Sequence, residues 1–208
     1  MNWKQIPLGA YQTNCYILYN ADKQCIIFDP GSEGDALNTF ISQEEYKPLA
    51  IVLTHAHFDH IGAVDIVRDK WNIPVYIHEL EKDWLANPSL NGSGRFPVGD
   101  LIKARDADKL LSNEKDLQIG PFSFKLLHTP GHSPGSLSFY VNDMNIVFAG
   151  DTLFSGSIGR TDLTEGSHEQ LILSIKNKLL TLPEATAVLP GHGPATTVER
   201  ERSSNPFL

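Results

Sequence analysis

Three histidines and an aspartate fall within six consecutive positions of the segment THAHFDH (54–60): His55, His57, Asp59 and His60. The whole chain has only eight histidines, and packing alone asks for no such concentration. Neutral imidazole nitrogens and carboxylate oxygens are ligands that zinc, iron and manganese accept. In extended chain, residues two apart face the same side, so His55 and His57 point together just past an apolar strand. Asp59 and His60 are expected where the next helix begins, a position whose dipole favours an anionic side chain.

The theme recurs downstream. TPGHSPGS (129–136) places His132 in a tight Pro/Gly turn, FAGDT (148–152) places Asp151 at the end of an apolar strand, and LPGHGP (189–194) does the same for His192. Each is a polar residue held by glycines at a strand end, which suits presentation of a ligand by rigid backbone. His78, His128 and His168 lack such a setting and read as ordinary surface or satisfied histidines, His168 in the first turn of a helix. Asp29, in FDPG, is either a turn-former or an acceptor that orients a ligand histidine.

The elements that must position these residues alternate between strand and helix patterns. Strands are expected at 14–19, 25–29, 49–54, from Pro74, within 117–127, and at 137–141, 145–150 and 186–190. Helices are expected over 35–45, from about His60 to Trp71, and from Ser167, where SHEQ has the form of a capping box. Leu171, Ile175, Leu179 and Leu182 form an apolar stripe on that last helix, which Pro183 ends. Strand-strand-helix segments in both halves imply two αβ layers packed sheet to sheet. The Gly-rich, weakly periodic stretch 87–113 is read as an active-site lid.

A chain of 208 residues has room for one domain or two intimately packed halves, and a net charge of -8 disfavours nucleic acid as a partner. No signal peptide or membrane span is read, and Cys15 and Cys25, outside any CxxC arrangement, fit a reducing cytoplasm as small buried residues on strands.

THAHFDH, HTPGHSPGS, FAGDTLF and LPGHG resemble, in order and spacing, the motifs of the metallo-β-lactamase superfamily. NCYIL, NPSLN and GRTDL are similar to its glyoxalase II-like branch, the hydroxyacylglutathione hydrolases, in a short bacterial form. The resemblance implies an α/β fold, a four-layer αββα sandwich, as a single domain over 1–208. It implies a first metal on His55, His57 and His132, a second on Asp59, His60 and His192, and Asp151 bridging both. The cofactors implied are two divalent ions, zinc first and iron or manganese as options. The activity implied is hydrolysis of a small thioester, S-(2-hydroxyacyl)glutathione-like, by a hydroxide shared between the ions, with Asp59 and Asp151 catalytic.

At positions where glyoxalase II enzymes hold glutathione with Lys and Tyr, this chain has Arg160 and Asp162. Arg160 could grip a substrate carboxylate or pair internally with Asp162 or Glu165. Two alternatives stay open: a persulfide dioxygenase with one iron on two histidines and a carboxylate, and a lactonase- or β-lactamase-type hydrolase.

Overall fold

In the computed structural model, residues 1–96, 99–112 and 114–208 are described. The chain forms two compact units, Met1–Leu111 and Ser112–Leu208. The first is built on a six-stranded sheet in sequential order. Its strands are β1 (Asn2–Leu8), β2 (Thr13–Tyr19), β3 (Gln24–Phe28), β4 (Lys47–Val52), β5 (Val75–His78) and β6 (Lys109–Leu111). β1, β2 and β3 pair antiparallel, whereas β3 through β6 run parallel. Parallel neighbours need crossover connections, which α1 (Gly34–Gln43) provides between β3 and β4 and α3 (Val64–Trp71) between β4 and β5.

Cys15, Ile17, Cys25, Ile27, Ile51 and Val75 on one face of this sheet pack with Leu37 and Ile41 of α1 and Val64 and Val67 of α3. Leu18, Ile26, Phe28 and Val52, which alternate with them, are fully buried as well. Burial on both faces explains why these strands read as continuous apolar runs. Both cysteines are free and buried, as expected. Burial pushes the Cys25 thiol up to about 12 and raises that of Cys15 too.

Three features of this unit differ from the pattern read in sequence. β1 was not anticipated, because most of its residues are exposed or half-buried and only Leu8 is buried. The helix expected from His60 to Trp71 is broken into α2 (Phe58–Ile61) and α3. The break follows from a close approach: the Pro30 carbonyl accepts from Ala63 N at 2.9 Å, and a Cβ on Gly62 would lie 2.4 Å from the Gly31 carbonyl oxygen. The stretch 87–113 contains β6 and a knot of polar contacts. Asn91, fully buried, donates to the carbonyls of Trp84 (3.2 Å) and Ile102 (3.0 Å). Pro97, Val98 and Asn113 of the expected lid lie outside the described residues.

The second unit carries a six-stranded sheet whose strands, by number, run 14-13-10-9-8-7. They are β7 (Asp116–Ile119), β8 (Phe122–His128), β9 (Leu137–Val141), β10 (Ile146–Gly150), β13 (Ala187–Pro190) and β14 (Thr196–Thr197), with β11 (Leu153–Phe154) and β12 (Ser157–Ile158) as a separate small hairpin. β8 and β10 are both antiparallel to β9, and β10 is parallel to β13, so β8, β10 and β13 all point the same way.

α4 (His168–Ser174) is capped by Ser167, whose hydroxyl accepts from Gln170 N, and it continues as a π-helical turn over Ile175–Leu179. Leu171, Ile175, Leu179 and Leu182 are core residues, as the stripe implied.

The segment after His192 contains α5 (Val198–Ser204), an element without an apolar stripe to announce it. Its buried Glu201 accepts from Thr196 Oγ1 (2.5 Å), from Gly156 N (2.9 Å) in the β11–β12 turn, and from Asn205 Nδ2 (2.7 Å). Among the described residues no helix is long and apolar enough to cross a membrane.

Candidate metal centre

In the first unit the ligand-type residues follow the carboxyl end of β4. His55 and His60 are fully buried, and His57 nearly so. The His55 ring lies 4.8 Å from that of His57 and 4.1 Å from that of His60, centroid to centroid. Asp59 and His60 sit in the single turn of α2, with Asp59 Oδ2 3.6 Å from His60 Nε2.

One buried carboxylate sets the orientation of two of these rings. Asp29, in left-handed backbone just past β3, accepts from Thr54 N (2.8 Å) and Thr54 Oγ1 (2.6 Å), and lies 3.0 Å from His60 Nδ1. A carboxylate accepts only, so His60 carries its proton on Nδ1. The Thr54 hydroxyl spends its single proton on Asp29, and must therefore accept from His55 Nδ1, 3.1 Å away. Each of the two histidines thus keeps its Nε2 lone pair as the atom it could offer to a metal. An Asp29→Asn substitution places amide hydrogens either against the Thr54 backbone N–H or against the His60 N–H and the Thr54 hydroxyl together. It should weaken metal binding by about 10–100-fold, read by chelator competition; affinity within twofold of the parent would remove Asp29 from this role.

Two further supports were not anticipated. Thr13 Oγ1 donates to Asp59 Oδ2 at 2.8 Å, and buried Glu81 Oε2 accepts from the N–H of Ala56, between His55 and His57, at 2.6 Å. Thr13 lies 46 residues from Asp59 and Glu81 25 from Ala56, so no local motif pointed to either.

Close approach of backbone to backbone makes this geometry. A Cβ on Gly31 would fall 1.7 Å from the Asp59 carbonyl oxygen. Only glycine lets the turn after Asp29 lie against α2.

In the second unit, His132, Asp151 and His192 follow the carboxyl ends of β8, β10 and β13, the three strands that point the same way. Asp151 Oδ2 lies 3.6 Å from His132 Nε2 and 3.5 Å from His192 Nε2. The Arg160 carbonyl can only accept, so His132 donates to it from Nδ1 at 2.8 Å and again presents Nε2. Glycines open the space here too: a Cβ on Gly159 would lie 1.8 Å from the Asp151 carbonyl, and one on Gly131 2.3 Å from Leu171 N.

The Arg160 guanidinium forks onto the Asp162 carboxylate, at 2.7 and 2.8 Å. That pairing, chiefly its hydrogen bonds, raises the Arg160 pKa.

These donors fit a divalent ion. With metal–ligand bonds of about 2.0–2.2 Å, the edge of a tetrahedron between two ligand atoms is about 3.3–3.6 Å. The three N···O separations, 3.6, 3.6 and 3.5 Å, match that edge and exceed an ordinary hydrogen bond. Of the remaining histidines, His78 Nδ1 accepts from Leu80 N, His128 Nε2 lies 2.9 Å from the Pro134 carbonyl, and His168 is an exposed first-turn residue.

Residues 8–192 match the model of the metallo-β-lactamase superfamily. The chain belongs to that superfamily. It is 56% identical to a probable metallo-hydrolase, YqgX, of Bacillus subtilis, over all of this chain and 98% of that protein. It is 35% identical to the hydroxyacylglutathione hydrolase GloC of Haemophilus influenzae, over 100% of this chain and 98% of the relative.

Among solved structures, the BLEG-1 B3 metallo-β-lactamase superposes with a TM-score of 0.97 at 58% identity, covering 100% of this chain and 99% of that one. A di-iron-bound form of TTHA1623 gives 0.83 at 37%, covering 99% and 100%. The metallo-β-lactamase fold read from the motifs is thereby borne out. Membership supports a metal-dependent hydrolase, and the fold implies divalent metals.

Proposed function

We propose that this superfamily member is a binuclear metal-dependent hydrolase of small thioesters, S-(2-hydroxyacyl)glutathione-like, which takes a thioester and water to a carboxylic acid and a thiol. The carrying observation is the donor set. Each unit presents buried or half-buried imidazole and carboxylate groups whose spacing is that of a coordination polyhedron. His55, His57 and His132 would hold one ion, and Asp59, His60 and His192 the other, with Asp151 shared. When bound, such ions supply Lewis acidity and bring the pKa of water to roughly 7.

The protein's own groups do the rest. Asp59, steadied by the Thr13 hydroxyl, would accept a hydrogen bond from the attacking water and hold it in line with the carbonyl carbon. Asp29, Thr54 and the Arg160 carbonyl keep the imidazoles of His60, His55 and His132 in one tautomer and one orientation. A thiolate leaving group has a free pKa of about 8.5 and departs without a strong acid, so the scarcity of separate acids in both ligand sets suits thioesters better than amides. The relative named hydroxyacylglutathione hydrolase supports the same substrate class.

Lactam hydrolysis is the second reading, because the 58%-identical structure is named a B3 metallo-β-lactamase. The test has two parts: metal content of protein purified without chelator, and turnover of a thioester panel beside a chromogenic cephalosporin. Two divalent ions per chain with thioester turnover are expected. One iron with oxygen uptake on a persulfide, or cephalosporin turnover alone, would overturn the proposal.

A further inference from the structure

A recess of about 210 Å³ opens beside Asp59 within the first unit. Its apolar walls are Leu8 and Ala10 from the end of β1 and the turn after it, Phe58 ahead of Asp59, and Ile102. Tyr11, exposed on the same turn, stands edge-on to Phe58, with ring centroids 5.0 Å apart and planes at 81°. Phe96 backs the Phe58 ring at 5.7 Å. The half-buried Ser32 and the backbone of Gly9 and Gly31 supply the polar part of the lining.

Among the described residues lining this recess there is no lysine, arginine or histidine, and the one charge among them is the Asp59 carboxylate. Nothing there would hold the carboxylates of glutathione or another anionic group. An uncharged aliphatic chain, by contrast, would leave water for contact with two aromatic rings and three aliphatic side chains. The volume suits about half a dozen heavy atoms, taking roughly 30 Å³ for each water-sized group. On the reading above Asp59 holds the attacking water, so the recess takes one of the two groups carried by the reacting carbon, and its uncharged lining fits the acyl chain rather than an anionic carrier thiol.

We infer that the recess walled by Tyr11, Phe58 and Ile102 is the acyl-specificity pocket, selecting thioesters of short uncharged aliphatic acyl groups. The inference rests on the thioester reading above and adds which end of the substrate is recognised and by which residues. Each methylene taken from water into such walls is worth about 0.8 kcal/mol, close to fourfold. Partial exposure of the recess lowers that to about two- to fourfold.

The test uses the metal-loaded protein and N-acetylcysteamine thioesters from acetyl to octanoyl. kcat/KM should climb about two- to fourfold per methylene as far as pentanoyl or hexanoyl, then level or fall as the recess fills. Ile102→Trp, which occupies the recess, should flatten the climb, and Tyr11→Ala, which opens it, should move the optimum to longer chains.

A second readout needs no turnover: S-alkyl N-acetylcysteamine thioethers should bind the metal-free protein, by calorimetry, with a comparable chain-length slope that Ile102→Trp abolishes. Thioester turnover with a flat profile, or slopes unaltered in both variants, would overturn the pocket and leave the hydrolase standing. Chain-length-dependent thioether binding by a protein inert to every thioester would do the reverse.

Discussion

An Asp151→Ala chain is expected to fold, lose at least one divalent ion, and hydrolyse thioesters about 10³-fold more slowly than the parent. The magnitude follows from the several kcal/mol that Lewis-acid stabilisation contributes to such a reaction, at 1.36 kcal/mol per tenfold. The assignment follows from position. Asp151 Oδ2 stands 3.5–3.6 Å from the Nε2 atoms of two histidines that are themselves presented by different strand ends.

No other carboxylate of the second unit has that relation to His132 and His192 among the described ion pairs. Folding should survive because the strand ends are held by backbone contacts independent of the carboxylate, such as Gly191 N to the Gly150 carbonyl at 2.8 Å. Metal content by elemental analysis and kcat/KM on one thioester are the measurements. Full metal occupancy with activity within tenfold of the parent would sink the shared-ligand role.

Gly31→Ala is expected to be the most damaging single methyl group in the first unit. Its Cβ would fall 1.7 Å from the Asp59 carbonyl oxygen, which is backbone and cannot swing aside as a side chain could. Either the turn carrying Asp29 or the helical turn carrying Asp59 and His60 must move. Overpacking against backbone costs about 3 kcal/mol or more. For a chain of this size that is a fall in Tm of about 6–12 °C.

The same displacement separates His60 from Asp29, so metal affinity should fall together with stability. Thermal melts with and without added zinc read both effects: the variant should melt lower and gain less from the metal. A Tm within 2 °C of the parent would show that the two segments are less closely packed than the glycine implies.

The candidate ligand types are legible in the chain because the first four lie within six positions of one another. In THAHFDH no folding is needed to bring His55, His57, Asp59 and His60 near one another. The helix after Ser167 was legible too, since its cap and stripe are local and periodic, and packing ratified them. The buried strands announced themselves as apolar runs for the same reason.

What tertiary structure alone decided is how the candidate ligands are aimed and where elements stop. The Asp29–Thr54 contact spans 25 residues, Thr13–Asp59 spans 46 and Arg160–His132 spans 28. A hydrogen bond across such a separation leaves no periodicity and no short motif. The helix expected to reach Trp71 without interruption breaks at Gly62 because a distant turn packs against it, a steric fact that helical propensity does not contain. β1 and α5 escaped for the complementary reason: their residues are mixed in polarity, and pairing with β2 or a buried Glu201 holds them in place. Residue identity and spacing thus determined which atoms can ligate. Long-range packing of glycine against backbone, and of carboxylate against imidazole, determined which way those atoms face.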